Sequence, residues 1–345
     1  MAEAVPFDLA RLETYLRANI DGLAGAVDVE PLTGGQSNPT FVIKLDGKKR
    51  YVLRKKPAGV LLPSAHAVDR EYRVMKALGG SDVPVPRMLA LCDDDSVIGT
   101  MFFVMDFADG RSFWDPALPD LEPAERGAIY GEMNRVIAAL HSVDYQAVGL
   151  GDYGKPGNYF ARQIARWSKQ YRASETRHIQ SMENLIAWLP ENIPAGDETT
   201  LVHGDFRLDN LIFHAVEPRV IAVLDWELST LGHPLADFAY HMLAWRLRPD
   251  EFRGMAGIDI AALGISNEQD YIAAYCKRTG RQSIKPRAWD FYLAYNMFRL
   301  ACIRQGIMRR VIDGNASNPN AAAVGSRAHE TADAAWRLVE DMKTE

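Results

Sequence analysis

Cysteine is scarce in this chain: Cys92, Cys276 and Cys302 are the 3 among 345 residues, with no CxxC or CxxH spacing. An odd count without such spacing argues against a disulfide framework and against a zinc centre, and it points to a reducing compartment. A basic surplus is missing too. Lys and Arg total 39 against 45 Asp and Glu, a formal net charge of -6, which argues against a nucleic-acid partner. The one dense basic run, Lys48, Lys49 and Arg50 with Arg54, Lys55 and Lys56, brackets a predicted strand instead of forming a tail. No apolar run approaches membrane-spanning length, and the opening MAEAVPFDLARLETYL lacks the basic start and apolar stretch of a secretory signal. These absences lead us to expect a cytoplasmic protein without nucleic-acid or membrane partners, monomeric or homodimeric.

The composition that remains is globular, 48% hydrophobic and 24% charged, over a length that accommodates two lobes. Leu9, Leu12, Leu16 and Ile20 at helical spacing predict an opening helix. The texture then turns to short strands: Val27 to Leu32, Thr40 to Leu45 and Tyr51 to Arg54, separated by turn residues, predict an antiparallel meander. A helix over Ala67 to Leu78 follows, and two more strands, Met88 to Cys92 and Met101 to Phe107, join through the acidic turn Asp93 to Ser96. Beyond Asp106 to Gly110 helices dominate, each of the next three with one apolar stripe: Glu122 to His141, Tyr159 to Tyr171 and His178 to Leu189. After a hairpin come helices from Pro234, Glu268 and Pro286, and a last one from about Ala322 to Met342. The expected fold class is α+β and two-lobed. Residues 1–107 form a five-stranded antiparallel sheet with one helix, and residues 108–345 a larger, mainly helical lobe.

Three places carry chemistry. The loop LTGGQSNPT, Leu32 to Thr40, sets Gly34, Gly35, Ser37 and Asn38 between two strands; such a loop lets backbone and small polar groups approach a phosphate, though taken alone a glycine pair is more often an ordinary hairpin turn. Strand YVLR presents Arg54 on one face and Lys55 on the other, ahead of a helix with a central Glu71; a strand cation paired with a helix carboxylate can hold nucleotide phosphates, or be a plain surface ion pair. The stretch LVHGDFRLDNLIFHAVEPRVIAVLDWE reads as a hairpin with Asp205, Asn210 and Asp225 at one edge. Magnesium-dependent phosphoryl transfer needs a carboxylate for the acceptor's proton, which fits Asp205, and oxygen ligands for the metal, which fits Asn210 and Asp225. Arg207 would offset charge developing on the transferred group, and His203 would brace the loop.

HGDFRLDN followed by VLDWE resembles the motifs of the aminoglycoside phosphotransferase family, relatives of the eukaryotic protein kinases. The glycine pair, Arg54, Glu71 and a strand MFFVMDF entering a hinge near Met105 fall in family order. The resemblance implies a kinase-like fold, ATP and Mg2+ as cofactors, nucleotide binding by residues 1–107, and catalytic loop, metal site and acceptor site in residues 108–345. It implies catalytic roles for Asp205, Arg207, Asn210 and Asp225, with Asn210 and Asp225 as metal ligands. It implies nucleotide contacts from Gly34, Gly35, Ser37, Asn38, Arg54, Glu71 and Met105, and a helix-cap or loop-bracing role for Asp237. The family's strand cation is often lysine, so Lys55 stays in reserve behind Arg54. The protein-kinase DFG is replaced by Asp225-Trp226-Glu227.

The segment from Tyr153 to Tyr171 resembles, with both motifs, the phosphotransferase domain fused to some eukaryotic acyl-CoA dehydrogenases. That implies a small-molecule acceptor such as a hydroxyacyl-CoA, phosphorylated on a hydroxyl such as that at carbon 4. Arg162, Arg166, Lys169 and Arg172 on the helix from Tyr159 suit an anionic acceptor and equally form a solvated face. An aminoglycoside or other amino-sugar kinase, and a nucleotide-binding relative without catalysis, are the alternatives.

Overall fold

The computed structural model describes residues 5–32, 38–47, 49–57, 67–316 and 318–344. In chain order they form α1 (Leu9–Asn19), β1 (Val27–Pro31), β2 (Thr40–Leu45), β3 (Lys49–Lys55), α2 (Val68–Leu78), β4 (Met88–Cys92), α3 (Asp95–Ile98) and β5 (Phe102–Asp106). There follow α4 (Pro123–His141), α5 (Tyr159–Ser174), α6 (Gln180–Glu191), β6 (Thr200–Val202), β7 (Leu211–Phe213), β8 (Val220–Val223) and β9 (Thr230–Gly232). The chain ends through α7 (Pro234–Arg246), α8 (Pro249–Phe252), α9 (Glu268–Thr279), α10 (Pro286–Ile312), α11 (Ala321–Ser326) and α12 (Ala328–Thr344).

These elements group into two compact units. The first comprises Met1–Ser112, Gln146–Leu150 and Asp209–Ser229; the second comprises Phe113–Tyr145, Gly151–Leu208 and Thr230–Glu345. A single cut after residue 107 does not describe this grouping, because the β7–β8 hairpin joins the unit of the large sheet. The reason lies in contacts between residues far apart in the sequence. Val223 donates its N–H to Pro84 O, and Arg111 and Phe213 exchange backbone hydrogen bonds of 2.8 Å. Gly110 is in the same contact: a Cβ there would stand 2.1 Å from Phe213 O, so only glycine lets the backbones close.

In the first unit the sheet order is β1-β2-β3-β5-β4, all neighbours antiparallel. The meander holds for β1 to β3, whereas β5 inserts between β3 and β4. Alternation gives the sheet two faces. Phe41, Ile43, Tyr51, Leu53, Phe102 and Val104 share a core with Leu12 and Leu16 of α1, a helix capped by the Asp8 carboxylate on the N–H groups of Ala10 and Arg11. On the other face α2 packs against β4 and β5, with Tyr72 and Phe103 rings 6.3 Å apart. The acidic stretch after β4 is not only a turn. The Asp94 side chain accepts from Ser96 N–H and starts α3, a single helical turn that Gly99 ends at φ +83°.

In the second unit α10 is the central element: Trp289, Phe291, Leu293, Met297 and Leu300 are among its buried residues, and α5, α6, α7, α11 and α12 pack on it. α7 is buried all round, from Pro234 to Trp245, which marks a helix inside a larger core rather than on a surface. The single last helix expected from Ala322 is two, because the chain breaks at Arg327 between α11 and α12. β6 and β9 form a short antiparallel ribbon, Leu201 opposite Leu231, that the sequence reading did not contain.

Candidate active site

In the first unit the register of β3 sets Arg54 opposite Thr40 and Phe103, on the face that α2 covers. From there its Nε lies 3.1 Å from Glu71 Oε2 and its Nη2 donates to Asp225 Oδ1, also at 3.1 Å. The Nε–H is not aligned on Glu71, so this contact is an ion pair without a hydrogen bond. Asn38, the described member of the glycine loop, donates from Nδ2 to Glu71 Oε1 at 2.8 Å. Gly34, Gly35 and Ser37 lie outside the described residues. Burial pushes the Glu71 carboxyl up to about 7; Arg54 opposes the shift, and Asp225 and Glu227 add to it. Lys55 extends to the opposite face, where it is buried, and desolvation lowers its pKa. Arg54 is thus the strand cation that meets the helix carboxylate.

Asn210 and Asp225 stand at the same end of the β7–β8 hairpin, because Leu224 N–H closes it on the Asn210 carbonyl at 2.9 Å. Asp225 adopts φ +65°, ψ +59°, a left-handed conformation that costs a non-glycine residue about 1 kcal/mol or more. The turn Trp226–Leu228 that follows packs against α2. Trp226 itself is fully buried, its indole N–H donating to Val223 O. This anchor holds the strained residue. Met105 of β5 is buried opposite Val52 and Met88.

In the second unit Tyr240 and Arg207 meet the Asp205 carboxylate, and Arg299 holds the residue before it. Tyr240 donates its hydroxyl to Asp205 Oδ1 at 2.6 Å. Arg207 donates from Nη2 to Oδ2 at 3.0 Å and sets its Nε 2.9 Å from Oδ1, a contact that is an ion pair without a hydrogen bond. Arg299 donates to the Gly204 carbonyl at 2.7 Å, with its guanidinium 4.9 Å from the Tyr240 ring centre. Asp237, one turn before Tyr240 on α7, accepts the N–H groups of His203 and Gly204 at 2.7 and 2.8 Å, and His141 at 3.2 Å. His203 is fully buried and accepts the Asp205 N–H, a bracing role. Asp237 therefore braces the loop as expected, while the helix cap is His233, whose Nδ1 accepts from Leu235 N–H. The sequence reading missed Tyr240 and Arg299. Their signal, a tyrosine three residues past Asp237 and an arginine 59 further on, becomes legible only once α7 and α10 are packed.

A family model described as the phosphotransferase enzyme family, APH, matches residues 28–292. The chain belongs to this family. Acyl-CoA dehydrogenase family member 10 of Mus musculus is 49% identical over 341 residues, which is 96% of this chain and 31% of that protein. The chain thus spans about a third of the length of this curated relative. A Ralstonia eutropha structure, provisionally named an aminoglycoside phosphotransferase, is 55% identical, covers 97% of this chain and 99% of its own, and superposes with a TM-score of 0.90. An aminoglycoside phosphotransferase solved with ADP and hygromycin B shares the fold at a TM-score of 0.60 and 17% identity, covering 95% and 98% of the two chains. The APH family fold is kinase-like, so the expected fold class holds: a five-stranded antiparallel sheet with a helix, and a larger helical part. No described helix is long and apolar enough to cross a membrane.

Proposed function

We propose that this chain transfers the terminal phosphoryl group of ATP, with magnesium, to a hydroxyl of a small molecule. The observation that carries the reading is the Arg54, Glu71 and Asp225 assembly. A guanidinium on a sheet strand is steadied by a buried helix carboxylate and reaches the motif aspartate, a costly arrangement that a plain surface ion pair does not need. In this reading Arg54 meets the nucleotide phosphates, Gly34, Gly35, Ser37 and Asn38 are further nucleotide contacts, and the hinge is at Met105. Asn210 and Asp225 fit a magnesium ion by donor chemistry: one amide and one carboxylate, hard oxygen donors at the same hairpin end, where this ion commonly takes few protein ligands and completes its shell with phosphates and water. When bound, the metal supplies neutralisation of charge on the phosphate oxygens.

Asp205 orients the acceptor hydroxyl and receives its proton, its two oxygens distinguished by the groups that hold them. Arg207 rests on Asp205, so its service to the transferred group requires that it leave the carboxylate. A hydroxyacyl-CoA is the acceptor we favour. A relative named for acyl-CoA dehydrogenases supports it, as do the exposed Arg166 and Lys169 on α5. The support is thinner than four basic residues suggested, because Arg162 donates to Lys155 O and Arg172 pairs with Glu183. Incubation with MgATP and a 4-hydroxyacyl-CoA, read by mass spectrometry, should yield a phosphorylated acyl-CoA and ADP. Phosphorylation of aminoglycosides alone would overturn the acceptor, and no nucleotide binding at all would overturn the reaction.

A further inference from the structure

Asp205 is held at more points than its motif supplies. Its backbone enters from His203 and Gly204, whose N–H groups end on Asp237. The Gly204 carbonyl is fixed by Arg299 from α10, a residue 8% exposed. The side chain is then met by Tyr240, one helical turn after Asp237 on α7, so a single helix face sets both the backbone and the carboxylate of Asp205. Tyr240 is 7% exposed, and Arg299 lies over its ring, so it has little freedom to turn away. Arg207 is the more exposed partner, its side chain 23% accessible.

We propose that Tyr240 is the positioning residue of Asp205: it holds Oδ1 as a fixed acceptor and thereby turns Oδ2 to the hydroxyl that is to be phosphorylated. The inference rests on the phosphotransferase reading and adds to it a residue outside the HGD motif. A carboxylate free to rotate about χ2 presents either oxygen and both lone-pair directions; a short hydrogen bond to one oxygen selects one of these. Arg207 then exchanges its hold on Oδ2 for the incoming substrate, whereas the Tyr240 bond persists. Arg299, through the tyrosine ring and the Gly204 carbonyl, keeps the tyrosine and the loop in register. No proton leaves Tyr240 in this scheme. Burial and the neighbouring Asp205 hold its hydroxyl protonated, as a donor must be.

The test compares wild type, Tyr240→Phe, Asp205→Asn and the double variant in the full chain, with MgATP and a 4-hydroxyacyl-CoA. Tyr240→Phe should lower kcat by about 10- to 100-fold and leave both KM values within about threefold. In the Asp205→Asn background the same change should cost less than about twofold, because the tyrosine acts only through Asp205. A packing role would instead give the same loss in both backgrounds. Equal losses, an unchanged kcat in the single variant, or a change confined to KM overturns the proposal and leaves the phosphotransferase reading standing. A wild type that binds no MgATP, or that phosphorylates neither a 4-hydroxyacyl-CoA nor an aminoglycoside, overturns both. Should Tyr240→Phe fold poorly, Arg299→Lys offers a second route, with a smaller loss of kcat and the same dependence on Asp205; additivity there is equally fatal.

Discussion

Glu71 is a buried carboxylate between a cation and an amide. Its side chain is 2% exposed, yet it faces Arg54 on one oxygen and Asn38 on the other. With the folded pKa raised to about 7 from 4.5, the folded state holds this proton more tightly than the unfolded chain does. The stability it contributes is fully present below about pH 4.5 and is lost as pH rises through about 7. Glu71→Gln keeps an oxygen for Asn38 and removes the titration. Chemical denaturation of the nucleotide-free protein should therefore show a flatter stability profile for the variant between pH 4.5 and 7, by up to about 3 kcal/mol. Parallel profiles for the two proteins would reject that assignment. Residues differed in how far they could be read in advance. Period-two alternation was enough to separate Arg54 from Lys55, because the two sheet faces are covered by different helices. The left-handed backbone of Asp225 was beyond reach, since nothing in Leu-Asp-Trp requires positive φ until Trp226 is buried beneath it.

At the scale of elements, α7 joins the bracing of the HGD loop to a pH liability of its own. His233 caps the helix through an unprotonated Nδ1, and burial depresses its pKa to about 4; His241, buried one face over, is depressed to about 4 as well. Both contribute stability that is present above about pH 6.5 and is lost as pH falls through about 4, the opposite slope to Glu71. His233→Asn retains a capping oxygen and removes one of the two titrations. Its melting temperature should hold up better than that of wild type between pH 6 and 4, and an identical acid profile would show that His233 is not a source of the loss. The helices themselves were legible, since α4, α5 and α6 each carry an apolar stripe over ten or more residues. Three-residue strands such as β6 and β9 were not, because a run that short has no period to detect; their pairing is imposed from outside, by the chain on either side of the HGD loop and the start of α7.

For the whole molecule, the division into units cuts the best motif in two. Leu208 closes a segment of the second unit and Asp209 opens one of the first, so Asp205 of HGDFRLDN belongs to one unit and Asn210 to the other. A reading by sequence position alone places all eight residues in one domain, and only long-range contacts such as Val223 with Pro84 reassign the hairpin. This division predicts separable defects. Asp225→Ala should reduce the stabilisation by MgATP, which for wild type at 100 times Kd is about 2.7 kcal/mol, and should weaken binding by at least about tenfold. An unchanged magnesium titration would count against Asp225 as a ligand. Asp205 should behave in the other way, and it is the residue on which the account turns. The most direct measurement is transfer of labelled γ-phosphate from MgATP to a 4-hydroxyacyl-CoA by wild type and Asp205→Asn, with MgATP affinity determined on the same samples. Transfer by Asp205→Asn should fall by about 10²- to 10⁴-fold with nucleotide affinity within about threefold of wild type. Full transfer by Asp205→Asn would contradict the role proposed for Asp205.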